Sequence, residues 1–320
     1  MSKTENKVVD NSMDKKVYGV LGVSSIMANM NADFTGTPKS TGAGKIFGSD
    51  KALKYPMKVM WNNEGNSVFY LKSHKFDGKG KDLSLLPRTL EERYYQLHGD
   101  EKLKKGKGEV EVLKNLFKST DIRQFGATFA ATVNTSITGA VQIGQGFNKY
   151  EDTSIEIIEI LSPFKNPNKE EAGQSSLGTK VVTDYAYYMY PFTINPFAYK
   201  EFVEMGITDG YTEEDYNDFH NAALAAVTAF DTNAKLGCSN DFALFVETEL
   251  YTYLPTLSEY ITFDKNNEKN VITLKCSDFL SELGDRVKNV EVYYNPYTTV
   301  LENVSDNMKL YNIITKKEVK

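Results

Sequence analysis

Lysine and glycine recur together near the start of this chain, and that pairing can hold phosphate oxygens. A polar loop, Asn29 to Gly48, carries Asn29, Asn31, Asp33, Gly36, Gly42 and Gly44 with Lys39 and Lys45. Ser49 is then placed to cap a helix bearing Lys51, Lys54 and Lys58, with Pro56 either kinking that helix or setting its first turn. Flexible backbone N–H groups, loop lysines and a helix start can together grip an anion without hydrolysing it. A nucleotide triphosphatase loop is disfavoured. That motif needs glycine five positions before Gly-Lys and a hydroxyl residue after it, and those places hold Lys39 and Ile46. A plain solvated loop is the competing reading of the same residues.

A second run, Ala172 to Lys180 (AGQSSLGTK), combines glycines, the hydroxyls of Ser175, Ser176 and Thr179, one apolar Leu177 and one cation. Such a tip can enter a single strand with Leu177 as a wedge between bases, although ordinary turns use the same residue types. Asp33 could promote attack by a ribose 2′-OH. It has no companion acid or metal ligand in its loop, so cleavage by this chain is the weaker reading.

The remaining inventory removes several enzyme classes. Histidine occurs only at 74, 98 and 220, with no serine elbow, cysteine partner or His-x-x-x-His spacing. His220 lies beside the apolar face of a helix and reads as structural. Cys238 and Cys276 form neither a disulfide framework nor a zinc pattern, so no metal or cofactor is expected.

The chain has 320 residues and a formal net charge of −6, which predicts no bulk attraction to polyanions or acidic membranes. The charge is uneven: residues 35–118 carry 17 basic and 10 acidic side chains, whereas residues 119–320 carry 16 and 29. A polyanion site would be local. No apolar run approaches the roughly 20 residues that cross a bilayer, and residues 1–16 are polar, which predicts a cytoplasmic protein with a flexible N-terminal arm.

Around these residues the pattern predicts strands at Val17–Val23, Ile122–Val133, Val141–Ile143, Ile155–Leu161 and Val181–Tyr190, then at Ala243–Leu250, Val271–Leu274, Val290–Tyr294 and Leu310–Ile314. Tyr185, Tyr187, Tyr188 and Tyr190 alternate along one strand, as core or as a stacking surface. The clearest helix is Glu213–Phe230, capped by Thr212 with Asp215 at the capping-box position. Ser73–Lys118 reads as a lysine- and glycine-rich insertion with helices at Leu90–Leu97 and Val110–Phe117, and Phe164–Lys180 as a long working loop. Without regular strand–helix alternation, the class is α+β with long insertions.

Four stretches in order, Val17–Lys39 (VYGVLGVSSIMANMNADFTGTPK), Asp121–Phe129 (DIRQFGATF), Thr138–Asn148 (TGAVQIGQGFN) and Ala172–Lys180, resemble the backbone subunit of the type I CRISPR surveillance complex (Cascade), closest to type I-B. The resemblance spans Lys16 to Lys317. It implies a modified RNA-recognition motif, a ferredoxin-like sheet with helices on one side, as a single palm domain over residues 17–320. A helical finger would lie at about 73–118 and a thumb loop at about 164–182. It also implies a non-catalytic protein whose copies stack as a filament along the spacer of a CRISPR RNA, kink it with the thumb and present it to the target DNA strand. Further partners would be the 5′-handle-capping, large and small subunits and a recruited helicase-nuclease, with no membrane. Carried onto this chain, the RNA-binding residues are Asn29, Asn31, Lys39, Lys45, Ser49, Lys51, Lys54, Arg123, Gln142, Gln145 and Lys235. The thumb comprises Ser175, Ser176, Leu177, Gly178, Thr179 and Lys180. Asp33 resembles the acid with which related type III backbone subunits cut RNA. A metal-dependent endonuclease of that kind, or a stand-alone single-stranded RNA-binding protein, are the alternatives.

Overall fold

The computed structural model describes residues 10–99, 108–165 and 175–319; the side chains of 81, 162–165 and 175–177 fall outside the description. The central strand, β1 (Lys15–Ala28), is apolar on both faces: Val17, Leu21 and Val23 enter one core, Tyr18 and Val20 the other. A strand buried on both sides loses the polar alternation of a surface strand. Around it lie β2 (Phe47–Gly48), β3 (Val141–Ile143), β4 (Gly146–Asn148), β5 (Ile155–Lys165), β6 (Ser175–Ile194), β7 (Cys238–Glu249), β8 (Val287–Tyr294) and β9 (Lys309–Asn312). The sheet order is β9-β8-β7-β1-β6-β4-β2, with β3 and β5 also paired to β6. β1 is antiparallel to both β6 and β7.

Two helices complete the motif, α1 (Asp50–Asn63) after β1 and, between β6 and β7, the helix Glu213–Ala225. The chain order β1, α1, β4, β6, helix, β7 and the spatial order β7-β1-β6-β4 are those of a ferredoxin-like, RNA-recognition-type unit, so the expected α+β class holds. These two helices cover one face. The other face is closed by a three-stranded sheet of Ile261–Asp264, Asn270–Leu274 and Thr299–Glu302. Tyr187 stacks on Phe263 there, with ring centroids 3.9 Å apart, while Tyr188 and Tyr190 are buried under the helices. The tyrosine-rich strand is core on both sides, and its rings cannot stack on bases.

The insertion contains α2 (Leu90–His98), α3 (Glu109–Leu116) and a small ladder, His74–Asp77 against Ser84–Pro87. It is anchored: Tyr94, Val112, Leu116 and Phe117 join the main core. The strand expected from Ile122 is instead α4 (Thr120–Phe125), followed by a hairpin of Gly126–Ala130 and Asn134–Thr138. Asp121 explains this, since its buried carboxylate accepts from Phe69 N at 2.7 Å and Tyr70 N at 2.9 Å. After the short α5 (Lys200–Glu204), the helix Glu213–Ala225 (α6) has the anticipated Thr212–Asp215 capping box. It stops short of Phe230 because Asn240 Oδ1 accepts from Val227 N (2.8 Å) and Thr228 N (3.1 Å) and draws out the next turn. The last helix, α7 (Ser277–Glu282), packs in the second core through Leu280. Pro56 sits inside α1 without ending it.

Of the expected N-terminal arm, residues 1–9 lie outside the described residues, and the part next to β1 is held, Asn11 N and Met13 N bonding Asp209 O and Tyr211 O, both within 2.9 Å. Of the segment expected as a long loop, Phe164–Lys180, residues 164–165 and 175–180 are strand, with Lys165 opposite Ser175 and Thr179 opposite Glu159, and residues 166–174 lie outside the described residues.

Candidate nucleic-acid interface

At the C-terminal end of β1 the loop 29–48 is tied down by its own polar side chains. Asn29, 5 % exposed, donates from Nδ2 to Gly36 O and Val181 O, each at 3.1 Å, so it fastens the loop to β6. Asn31 Oδ1 accepts from Ser49 N at 2.8 Å, which links the loop to the start of α1. Ser49 Oγ in turn accepts from Ala52 N at 3.3 Å and caps the helix. Asp33 Oδ1 accepts from Thr35 Oγ1 (2.6 Å), Thr35 N (2.8 Å) and Thr37 N (3.1 Å). These bonds, the Thr35 hydroxyl foremost, hold its carboxyl below the ordinary aspartate range. Lys39 bonds through its backbone, N to Asn31 O and O from Phe47 N, and its side chain is half-buried. The loop is a fixed ledge.

The lysines on this ledge divide into two sets. Lys54 Nζ pairs with Asp50 at 3.0 Å and lies over Phe125, and Lys58 Nζ pairs with the buried Asp121 at 3.3 Å. Burial pushes the Lys58 ammonium down. Lys45 and Lys51 are exposed and make no ion pair among the described residues; Lys45 Nζ is 5.1 Å from the Phe147 ring centre. Gln145 lies nearby and donates to Asp50 Oδ1 at 3.4 Å, whereas Gln142 turns back to Gly139 O at 2.8 Å beside a separate apolar cavity.

Lys235 reaches the ledge from the turn after α6. That turn runs beside the end of β1 through Ile26 N to Gly237 O and Asn29 N to Ala234 O, each 2.9 Å. Gly237, at φ +107, fits where a Cβ would strike Ile26 O. Lys235 Nζ lies 3.8 Å from Met30 Sδ, has no ion-pair partner among the described residues, and is pushed down by burial. Lys180 Nζ contacts Asn233 Oδ1 at 3.4 Å, so the base of the β5–β6 hairpin joins the same surface.

Arg123 does not belong there. Its Nε and Nη2 grip Asp215 Oδ1 and Oδ2, both at 2.6 Å, while Nη1 reaches Asp209 at 3.1 Å and Nη2 also donates to Gly210 O at 2.8 Å. Burial opposes its charge, but the Asp215 carboxylate raises the guanidinium above its ordinary value. Every part of the fork is satisfied inside the protein. His220 is likewise structural, 3.3 Å from Glu291 and packed on Phe245.

On the hairpin, Ser175, Ser176 and Leu177 continue strand β6, Leu177 opposite Leu161; Gly178 and Thr179 are exposed, and Ala172–Gln174 lie outside the described residues. The arm also presents Ile157, 69 % exposed, and Leu161, 72 % exposed.

One basic residue escaped the sequence reading. Lys149 shares with Lys45 a cavity of about 510 Å³, lined also by Gly44, Asn148 and Thr153. Its nearest carboxylate, Glu259, is 3.8 Å away, and burial followed by repulsion from Lys45 pushes its ammonium down. Only the pairing of β2 with β4, Phe47 opposite Phe147, brings the two lysines together, and no local motif announces it. Among the described residues no three histidine, cysteine or acidic side chains gather as a metal site, and no helix is long and apolar enough to cross a membrane.

The fold is similar to that of a chain from a CRISPR RNA-guided surveillance complex in a pre-nicking state, at 15 % identity and a TM-score of 0.51, over 93 % of this chain and 96 % of that one. A chain of another CRISPR RNA-guided surveillance complex aligns at 13 % identity and a TM-score of 0.49, over 91 % of each. No curated protein matches the sequence. Residues 15–279 match the sequence model of the family described as CRISPR-associated protein Cas7. That match takes in β1, the ledge, the hairpin and the Lys235 turn, and the chain belongs to the CRISPR-associated Cas7 family.

Proposed function

We propose that this chain is a non-catalytic, multi-copy backbone subunit of a type I CRISPR surveillance complex, closest to type I-B. It holds the spacer of the CRISPR RNA by sugar and phosphate and leaves sequence reading to pairing with the target DNA strand. The carrying observation is the rigid ledge where Lys45, Lys51, Lys180 and Lys235, drawn from three separate chain segments, stand without carboxylate partners among the described residues. Unpaired cations on a preorganised surface suit a polyanion, and the negative remainder of the chain does not oppose a local grip.

In this reading the palm is residues 17–320, the finger lies at about 73–118, and the hairpin within 164–182 is the thumb that kinks the RNA. Its exposed apolar arm suits contact with a neighbouring copy in a filament. The capping, large and small subunits and a helicase-nuclease complete the assembly. Asp33 serves the loop, because its carboxylate is already occupied by Thr35 and Thr37.

The test is purification with native RNA. Filaments on RNAs of one length sharing a repeat sequence are expected; a monomer on mixed transcripts would favour a stand-alone RNA-binding protein, and an RNA-free monomer that ignores added guide would end the proposal.

A further inference from the structure

Met27 is one of three non-glycine residues with positive φ, at +47°, among the described residues. It falls near the end of β1, between Ile26, which pairs with Tyr185, and Ala28, which pairs with Thr183. A long side chain in the left-handed region costs free energy and persists only where its surroundings enforce it. Here they do. Ala28 O accepts from both Ser25 Oγ (3.3 Å) and Thr183 Oγ1 (3.0 Å), all on buried residues, and Ile26 N is held by Gly237 O.

The kink leaves two consecutive apolar side chains in water, Ile26 at 54 % and Met27 at 47 % exposed, beside Leu236 at 72 %. Nothing in the core requires this exposure. Lys235 precedes Leu236 in the chain and Lys180 reaches Asn233 of the same turn, neither with a carboxylate partner among the described residues, while Asp184 on the adjacent strand accepts from Ser154 N at 2.8 Å. An apolar surface bordered by unpaired cations matches a ligand with a flat apolar face and an anionic backbone. Thioether sulfur and branched aliphatic carbons both pack well on an aromatic plane.

We propose that Met27, with Ile26 and Leu236, forms a platform for one unstacked nucleobase of the bound single strand, whose flanking phosphates are held by Lys180 and Lys235. This rests on the RNA-holding reading above and adds to it a site for the base itself. The kink fixes the platform before RNA arrives, so no ordering is required of it on binding.

The experiment compares binding of the full chain to an oligouridine and to the abasic strand of the same length, which keeps the phosphates and removes the bases. The wild-type protein should prefer the base-bearing strand by roughly tenfold, which is about 1.4 kcal/mol, through stacking of the base. Met27→Gly should shrink that preference by about threefold, with unchanged affinity for the abasic strand and an undiminished melting temperature, because glycine adopts this φ freely. A preference untouched in both Met27→Gly and the Met27→Ser/Leu236→Ser double variant would overturn the platform, and altered self-association in those variants would mark the patch as a protein contact instead. Failure of the wild-type protein to bind either strand would overturn the RNA-holding reading and the platform with it.

Discussion

Arg123 and Asp215 form a two-pronged ion pair, Nε to Oδ1 and Nη2 to Oδ2 both at 2.6 Å, that joins α4 to the first turn of α6. Asp215 also accepts from Thr212 N at 2.7 Å, and its backbone carbonyl accepts from Gln124 Nε2 at 2.7 Å. Gln124 Oε1 takes the Tyr211 hydroxyl at 2.8 Å. The DIRQF stretch is therefore a structural knot beneath the ledge. Removing Arg123 strands a nearly buried carboxylate, so Arg123→Ala should destabilise the fold by about 3–5 kcal/mol. Denaturant unfolding measures this. Per folded molecule, the salt dependence of RNA binding should not change; a lowered slope would place Arg123 on the RNA after all.

Lysines at the ledge should differ in proportion to their partners. Each lost single-strand phosphate contact lowers the slope of log K against log salt by about 0.7. Lys54 is already paired with Asp50, so the triple Lys45→Ala, Lys51→Ala, Lys54→Ala variant should lose about 1.4 rather than about 2.1. Lys235→Ala should lose about 0.7 by itself. Titration of RNA binding at several salt concentrations distinguishes these values, and an unchanged slope removes the residues from the site.

Acid stability should depend on Glu291. Its carboxyl is held down at about 2, against an ordinary 4.5, first by the His220 imidazole 3.3 Å away and then by hydrogen bonds from Asn289 and Tyr293, against the opposing effect of burial. A depressed carboxyl contributes stability in full above its unfolded value and loses it as the pH falls through the folded value. The contribution, about 1–3 kcal/mol, should thus vanish between pH 4.5 and about 2. Glu291→Gln should flatten the acid limb of an unfolding-versus-pH curve in that window; an unaltered limb would show that the pair is not what fails in acid.

Asp33 is expected to act on the loop and not on RNA. Asp33→Asn keeps the size but weakens the acceptor for Thr35 and Thr37, so the amide exchange of both should quicken. Guide-paired RNA should stay intact with the wild-type protein and the variant alike in the presence of magnesium. Cutting by the wild type that the variant lacks would restore the endonuclease reading.

Leu177→Ala tests the thumb. Base reactivity to chemical probes at displaced positions of a bound guide should change more than affinity does. An unaltered reactivity pattern would refute the wedge.

The sequence by itself was enough for the apolar β1, the Ser49 cap, the Thr212–Asp215 capping box and the α+β class, because each depends on side-chain period or on hydrogen bonds between residues within a few positions. It also showed where the positive charge lies. It could not show which cations are free. Arg123 reads as a basic residue in a matched motif, yet Asp215 approaches it only when α6 packs on α4; Lys149 joins Lys45 only through the pairing of β2 with β4. The tyrosines of β6 look like a stacking surface until a distant β-module closes the second face of the sheet. Burial and ion pairing are set by residues far apart in the chain, and that long-range placement decides which residues of the candidate site are free to bind.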